Sequence, residues 1–77
     1  FGLVYHQGHL YTGNGWKINP KTLQQSKLFP DADREIGGVV AVTGRGNIWF
    51  GYGAKLYQYD PKKQKLQRFK IIHIHLS

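Results

Sequence analysis

Residues 46–53 read GNIWFGYG, and residues 55–61 read KLYQYDP. Apolar and aromatic residues lead up to a glycine-rich turn and return as a second run that ends at Asp60-Pro61. This arrangement predicts an antiparallel hairpin. A looser version, GHLYTGNGWKINP, occupies residues 8–20, so the pattern occurs twice in the chain.

The spacing of the repeat predicts the architecture. Asn19-Pro20 recurs as Asp60-Pro61, 41 residues later, and Leu28-Phe29 recurs as Arg68-Phe69, 40 residues later. A unit of about 40 residues with four short strands has the period of a β-propeller blade. A blade buries both faces only between two neighbours, so two blades are an incomplete ring. The chain is a piece of a larger propeller, a unit whose copies complete a ring, or a sandwich of two four-stranded sheets; we favour the first.

The rest of the chain completes an all-β prediction, because no segment of helical length shows a 3.6-residue period. The alternation of apolar runs and turn residues predicts a first blade plus inter-blade loop over residues 1–36, a second blade over 37–70 and the start of a further strand over 71–77. Gln7-Gly8 has the composition of a two-residue turn. The residues from Leu23 to Phe29 are a candidate fourth strand. Val39–Val42 is uniformly apolar, which predicts burial on both faces.

Length and composition narrow the class of protein. A chain of 77 residues makes one small domain at most, and buries only about 60% of its unfolded surface. The absence of cysteine excludes a disulfide scaffold and a cysteine zinc site. No apolar run reaches 18 residues, so we expect no membrane span. The chain begins at Phe1 and contains no methionine, which predicts a processed form, an excised fragment or part of a longer protein.

The net charge of +7 is concentrated in the second half. Residues 1–40 hold four bases and three acids, whereas residues 41–77 hold seven bases and one acid. Such a field attracts polyanions, which include nucleic acid, sulfated or uronic glycans and anionic membranes. Lysines on an edge strand also prevent edge-to-edge pairing, and this alternative stays open. The predicted polyanion-binding residues are Lys62, Lys63, Lys65, Arg68 and Lys70.

The sequence holds no recognisable catalytic or metal-binding set. It has two serines and no Gly-x-Ser-x-Gly motif, and its four acids form no evident acid–base pair. His73 and His75 would face the same way on a strand, and His6 or His9 could add a ligand, but a plain polar strand face explains them as well. The loop from Asp31 to Glu35 fails the EF-hand pattern. We therefore predict no metal, no cofactor and no catalytic residue.

Residues 38–69 resemble the blade repeat of the two-component-regulator propellers, the sensor domains of bacterial hybrid histidine kinases. The resemblance rests on VVAV (39–42), GNIWFG (46–51), LYQYDP (56–61), Leu66 and Phe69. Ala54-Lys55 stands where a glycine usually precedes Leu-Tyr, and Trp16 stands where the family has Leu-Tyr. Streptogramin lyase-like, NHL-like and plant-type glutaminyl cyclase propellers carry similar strings. The cyclases are expected to have an acid after Leu-Tyr, where this chain has Thr12.

The resemblance also implies where a ligand would bind. In propellers, ligands usually meet the loops that join strands two and three and the loops between blades. The corresponding segments here are Asn14-Gly15, Tyr52-Gly53 and residues 31–35. The expected ligand-binding residues are therefore Asn14, Trp16, Arg34 and Tyr52.

Together these observations predict a non-catalytic binding or sensing propeller segment outside the cytoplasm, periplasmic or secreted. Its ligand would be a carbohydrate or another polyanion, and its other partners the remaining blades or further copies of the chain. One alternative is part of a propeller enzyme, a lyase or a glutaminyl-cyclase-like protein, with its catalytic residues outside this chain. Another is a small basic nucleic-acid-binding β domain.

Overall fold

The computed structural model of the chain describes residues 2–30, 38–52 and 55–70, and it describes only the main chain of Tyr52 and Lys70. These residues form strands and turns without any helix, which confirms the all-β prediction. Within the same ranges, nothing helical is long and apolar enough to cross a bilayer. The strands are β1 (Leu3–His6), β2 (His9–Thr12), β3 (Trp16–Ile18), β4 (Gln25–Lys27), β5 (Val39–Val42), β6 (Ile48–Tyr52), β7 (Lys55–Asp60) and β8 (Lys65–Lys70). Residues 31–35 and the expected further strand over 71–77 lie outside the described residues.

The strands form two antiparallel sheets of four, each in chain order. The first sheet is β1-β2-β3-β4 and the second is β5-β6-β7-β8. The hairpin between β1 and β2 turns through Gln7 and Gly8, whose φ angles of 49° and 83° are both positive. Two positive φ angles define the type I′ turn that joins antiparallel strands with the correct twist, so the two-residue turn is confirmed.

The Asx-Pro motif builds the same turn in both sheets. Asn19 Oδ1 accepts hydrogen bonds from the main-chain N–H groups two and three residues ahead, at 2.9 and 3.3 Å. Asp60 Oδ1 does the same at 3.0 and 3.4 Å. Leu23 and Gln64, four residues after Asn19 and Asp60, adopt positive φ angles of 63° and 52°. The side-chain oxygen therefore fixes the turn and with it the register of the last two strands.

The strand registers make positions in the two sheets equivalent. Leu10 pairs with Ile18 in the first sheet as Ile48 pairs with Tyr59 in the second. Paired residues in antiparallel strands share a face, so the equivalence extends across each sheet. The equivalent pairs are Leu3 and Val40, Val4 and Ala41, Tyr5 and Val42, Leu10 and Ile48, Tyr11 and Trp49, Thr12 and Phe50, Gly13 and Gly51, Trp16 and Tyr57, Lys17 and Gln58, and Ile18 and Tyr59.

The core lies between the two sheets, which pack face to face. Phe29, just after β4, stacks on Tyr57 with ring centroids 4.1 Å apart and meets Phe50 edge-on at 5.6 Å. Tyr11 lies beside Tyr59 at 6.1 Å. Burial of one such side chain stabilises the fold by about 1.5–3 kcal/mol. The buried side chains are Tyr11, Phe29, Val40, Ile48, Phe50, Tyr57 and Tyr59.

The fourth strand is shorter than the expected stretch from Leu23 to Phe29. Leu23 is held in the left-handed region by the Asx-Pro turn, and Phe29 leaves the sheet to enter the core. Gly15, with a φ of 98°, makes room for this ring, since a Cβ there would lie 2.4 Å from Phe29. The end of the first sheet is therefore built around one inserted aromatic ring.

The prediction that Val39–Val42 is buried on both faces is wrong. Val40 is buried, but Val39 and Val42 are 68% and 37% exposed. Val39 stands on the face that points away from the first sheet, where no other described residue covers it. Val42 shares the inward face with Val40 but is the last residue of the strand, where the core ends. The two main chains touch beside β5, where a Cβ on Gly13 would lie 2.1 Å from the carbonyl oxygen of Gly38.

Candidate functional site

A shallow polar groove crosses the face of the second sheet that points away from the first. Gln58 stands on this face because it alternates along β7 with Tyr57 and Tyr59, which point into the core. The groove, of about 190 Å³, is named the β6–β8 groove. It is lined by Asn47, Gln58, Asp60, Lys63, Lys65 and Gln67.

A second polar groove, of about 230 Å³, lies on the first sheet and is named the β2–β4 groove. Its face is turned toward the second sheet, because Lys17 Nζ lies over the Tyr59 ring at 5.9 Å from the centroid. The groove is lined by His9, Lys17, Asn19, Gln24, Gln25 and Ser26.

The two grooves are built from the same positions of the repeat. Lys17 is equivalent to Gln58, and Asn19 of one Asx-Pro turn is equivalent to Asp60 of the other. The strand registers relate three further pairs, which are His9 and Asn47, Gln24 and Lys65, and Ser26 and Gln67. Each sheet therefore carries its own copy of one groove.

The groove side chains suit hydroxyl and carboxylate groups. Amide side chains offer both donors and acceptors, and the lysines offer donors that carry charge. In the β6–β8 groove, Lys63 and Lys65 outweigh the single carboxylate of Asp60, whose Oδ1 is already bonded to main-chain N–H groups of the turn. Each groove is smaller than the roughly 300 Å³ at which pockets for whole small molecules begin. A groove of this size fits one ring or one anionic group of a longer ligand.

Two of the four expected ligand-binding residues lie together in the turn between β2 and β3. The Thr12 hydroxyl donates to Asn14 Oδ1 and accepts a hydrogen bond from Trp16 N at 3.2 Å. Trp16 is half-buried and packs against the core, and Lys27 Nζ lies 5.9 Å from its ring centroid. Neither Asn14 nor Trp16 lines a groove. Arg34 and the side chain of Tyr52 lie outside the part of the chain that the structure describes.

The basic cluster follows the last turn and the edge strand β8. Lys63 and Lys65 line the β6–β8 groove, while Lys62 lies exposed in the turn beside them. Arg68 pairs with Tyr57 across β7 and β8, and therefore stands on the opposite face of β8 from Lys65. Only the main chain of Lys70 is described. The cationic side chains thus reach from the turn onto both faces of the edge strand.

The sequence reasoning missed the uncharged lining of both grooves. Gln58 lies between two core tyrosines in the segment LYQYDP. Because side chains alternate between the two faces of a strand, Gln58 points away from the core and lines the groove. Two features of the sequence could have predicted Gln58 as a groove residue: the alternation of side chains along β7 and the equivalence of the two Asx-Pro turns. Gln67 and Ser26 needed the strand registers, which the sequence does not supply.

The positions of the described histidines and the protonation of a buried tyrosine follow from the sheets and the core. Among the residues described, no group of three metal-ligating side chains comes together, and His73 and His75 lie outside them. His6 pairs with His9 at the end of the first hairpin. Burial raises the pKa of Tyr11 to about 12, with a smaller contribution from Tyr59. Tyr11 therefore stays protonated at neutral pH.

Comparison with known proteins yields no relative: no family model, no curated protein and no solved structure matches the chain. The grooves, the charges and the repeat are therefore the grounds on which a function can be argued.

Proposed function

We propose that the chain is a non-catalytic segment of a β-propeller that binds an acidic carbohydrate through its repeated grooves. The observation that carries the proposal is the equivalence of the β2–β4 and β6–β8 grooves. Two grooves of one design, one on each of two successive repeats, match the way in which a polysaccharide presents similar groups at regular intervals.

The lining of the grooves favours an acidic saccharide over a neutral one. Amide groups of Gln58 and Gln67 suit hydroxyls, and Lys63 and Lys65 suit a carboxylate or a sulfate. In the other groove, Lys17 stands among Asn19, Gln24 and Ser26 in the same manner. Each groove has one more lysine than it has acids, so a ligand with one negative charge per unit would neutralise it.

The propeller part of the proposal is supported by how the sheets are built and packed. Each sheet is a four-stranded meander with the same Asx-Pro turn before its last strand. The first strands of the two sheets, β1 and β5, lie against each other. Neighbouring blades of a propeller pack in this manner around the channel. A sensory role outside the cytoplasm is part of the proposal and rests on the resemblance of residues 38–69 to sensor propellers.

A second candidate is binding of a polynucleotide along β8. It is favoured by the exposed cations Lys62, Lys63, Lys65 and Arg68 on the last turn and edge strand. Phosphate contacts make affinity fall with salt, at a log–log slope of about −0.9 per contact on duplex DNA. Saccharide binding through amide hydrogen bonds would depend on salt far less.

Calorimetric titration with a uronic acid oligosaccharide and with its neutral counterpart tests the proposal. We expect binding of the acidic oligosaccharide only. Lys65→Gln should weaken it roughly fivefold, since an exposed charge pair contributes up to about 1 kcal/mol. Lys21→Gln is the matched control, because Lys21 is an exposed lysine of the other Asx-Pro turn that lines neither groove.

Three outcomes separate the candidates. The absence of heat with any acidic oligosaccharide would refute the saccharide proposal. An equal loss with Lys65→Gln and Lys21→Gln would mean that net charge, and not the groove, holds the ligand. Binding of single-stranded nucleic acid with a steep salt dependence would favour the polynucleotide.

A further inference from the structure

Each outward face of the two-sheet unit carries an apolar area that no other described residue covers, and on the second sheet this area lies beside the polar β6–β8 groove. On the first sheet, Leu3 and Tyr5 are 53% and 66% exposed beside the half-buried Leu10 and Ile18. On the second sheet, Val39 is 68% exposed. An exposed apolar area on each outward face of one small chain indicates two contact surfaces.

An aromatic pair lies at the centre of the outward face of the second sheet. Trp49 stacks on Phe69, with ring centroids 5.5 Å apart and an interplanar angle of 27°. Phe69 is 38% exposed, and Leu56 of β7 pairs with it across the sheet. Trp49 Nε1 is buried without a hydrogen-bond partner. The stacked rings and Leu56 therefore form the apolar area of this face that a partner could cover.

The outward face of the first sheet is built from the same positions of the repeat as the buried, inward face of the second sheet. Leu3 is equivalent to Val40, and Leu10 is equivalent to Ile48. Val40 and Ile48 are buried against the first sheet, whereas Leu3 is exposed and Leu10 is half-buried.

In the same way, the outward face of the second sheet is built from the same positions of the repeat as the inward face of the first sheet. Tyr11 is 1% exposed where it meets the second sheet, and its equivalent is the half-buried Trp49. Gly13 touches Gly38 across the interface, whereas a Cβ on its equivalent Gly51 would meet nothing within 4 Å. The two uncovered faces are therefore the two halves of an interface that the chain already forms once.

We propose that the outward face of the second sheet docks on the outward face of the first sheet of a second copy of this chain. The copies then stack head to tail and repeat the contact found between the two sheets of one copy. Such an interface joins two different faces and is heterologous, so it extends to further copies until a ring closes or a filament grows. Gly51 would allow the main chains to meet as Gly13 does within one copy.

Docking would complete the β6–β8 groove. Within one copy, the β2–β4 groove lies beside Tyr59 of the adjoining sheet, which Lys17 reaches across the interface. The position equivalent to Tyr59 in a second copy is Ile18, which would stand beside Gln58. The second copy would thus supply the missing apolar wall of the groove. The association itself does not depend on whether either groove binds a saccharide, and it is measured without ligand.

Light scattering on the full 77-residue chain and on two charge variants tests the interface. Tyr5→Glu places a charge on the outward face of the first sheet, and Val39→Glu places one on the outward face of the second. Both side chains are mostly exposed in one copy, so folding should survive. Leu23→Glu is the matched control, because Leu23 is 71% exposed in a turn and belongs to neither face.

We expect the wild-type chain and Leu23→Glu to form assemblies of more than two copies. Each face variant alone should be monomeric, with association weakened at least about tenfold by the buried charge. The decisive sample is the mixture of Tyr5→Glu and Val39→Glu, in which one intact face of each kind remains. A heterologous contact predicts a one-to-one complex with twice the 8.8 kDa mass of the chain.

A wild-type chain that stays at 8.8 kDa at every concentration overturns the proposal. So does a mixture that remains monomeric while the wild type associates, because the contact would then be of another kind. Near-UV circular dichroism of the aromatic core verifies folding, and a face variant that fails this check is replaced by Leu3→Gln or Val39→Gln.

Discussion

The two sheets of this protein share one pattern of strands and turns, yet equivalent residues have different environments. Ile48 is completely buried and its equivalent Leu10 is half-buried. Tyr11 is 1% exposed and its equivalent Trp49 is half-buried. Burial in this fold therefore depends on whether a sheet has a neighbour on that face, and much less on the sequence of the strand itself.

The buried inward face of the second sheet and the exposed outward face of the first sheet also differ in composition. The inward face of the second sheet holds Phe50 and Tyr57. On the outward face of the first sheet, Thr12 and Trp16 occupy the equivalent positions. A threonine in place of a phenylalanine lowers the apolar area that the outward face of the first sheet can bury. A contact between copies should therefore be weaker than the contact between the two sheets of one copy.

The largest expected effect comes from truncation of equivalent aliphatic residues. Ile48→Ala should lower the free energy of unfolding by about 2–5 kcal/mol, because it leaves a cavity in a closed core. Leu10→Ala should cost less than half of that in a dilute sample, since its face is uncovered. Urea denaturation at low protein concentration measures both, and equal losses would contradict the comparison.

A smaller effect is expected from the equivalent glycines. Gly13→Ala would push a Cβ to 2.1 Å from the Gly38 carbonyl oxygen, so the two sheets must move apart at a cost of roughly 1–3 kcal/mol. Gly51→Ala should leave stability equal or raise it by up to about 1 kcal/mol, because it stiffens the unfolded chain and meets nothing. Thermal unfolding of both variants tests this pair, and destabilisation by Gly51→Ala would show that its face is already covered.

A third prediction concerns alkaline pH and the buried tyrosines. Burial raises the pKa of Tyr11 to about 12 from 10.0, and burial and then Asp60 raise the pKa of Tyr59. The folded state therefore holds both protons more tightly than the unfolded chain. For Tyr11 the resulting stabilisation is complete below pH 10.0 and is lost as the pH rises toward about 12, and Tyr59 contributes in the same direction. Tyr11→Phe should make the free energy of unfolding fall less steeply over this pH range, and urea denaturation of the variant and of the wild type at several pH values measures the difference.

Much of the fold could be predicted from the sequence because local chemistry specifies it. The hairpin turn at Gln7-Gly8 and the recurrence of Asn19-Pro20 as Asp60-Pro61 reflect backbone preferences that act within a few residues. The strand pairs then follow from the turns. The insertion of Phe29 into the core could not be predicted in this way, because it depends on the space beside Gly15 and on rings from the other sheet.

The candidate site was harder to predict than the fold. The sequence drew attention to charge, and two of the five expected cations, Lys63 and Lys65, do line a groove. The amides of Gln58 and Gln67 were missed because a groove is formed by side chains from three strands, and their relative register is a property of the folded sheet. Asn14 and Trp16 were selected by resemblance and lie beside each other, and their role in binding stays a prediction.

The smallest expected effect compares two cations at the same distance from a ring. Lys17 Nζ lies 5.9 Å from the Tyr59 centroid in the covered interface, and Lys27 Nζ lies 5.9 Å from the Trp16 centroid on the uncovered face. Lys17→Gln, which installs the residue found at the equivalent position 58, should cost about 0.5–1 kcal/mol. Lys27→Gln should cost less, because solvent screens its charge. Denaturation midpoints of both variants at low and high salt measure the difference, and equal losses would mean that the cover of the second sheet adds nothing to the contact between Lys17 and Tyr59.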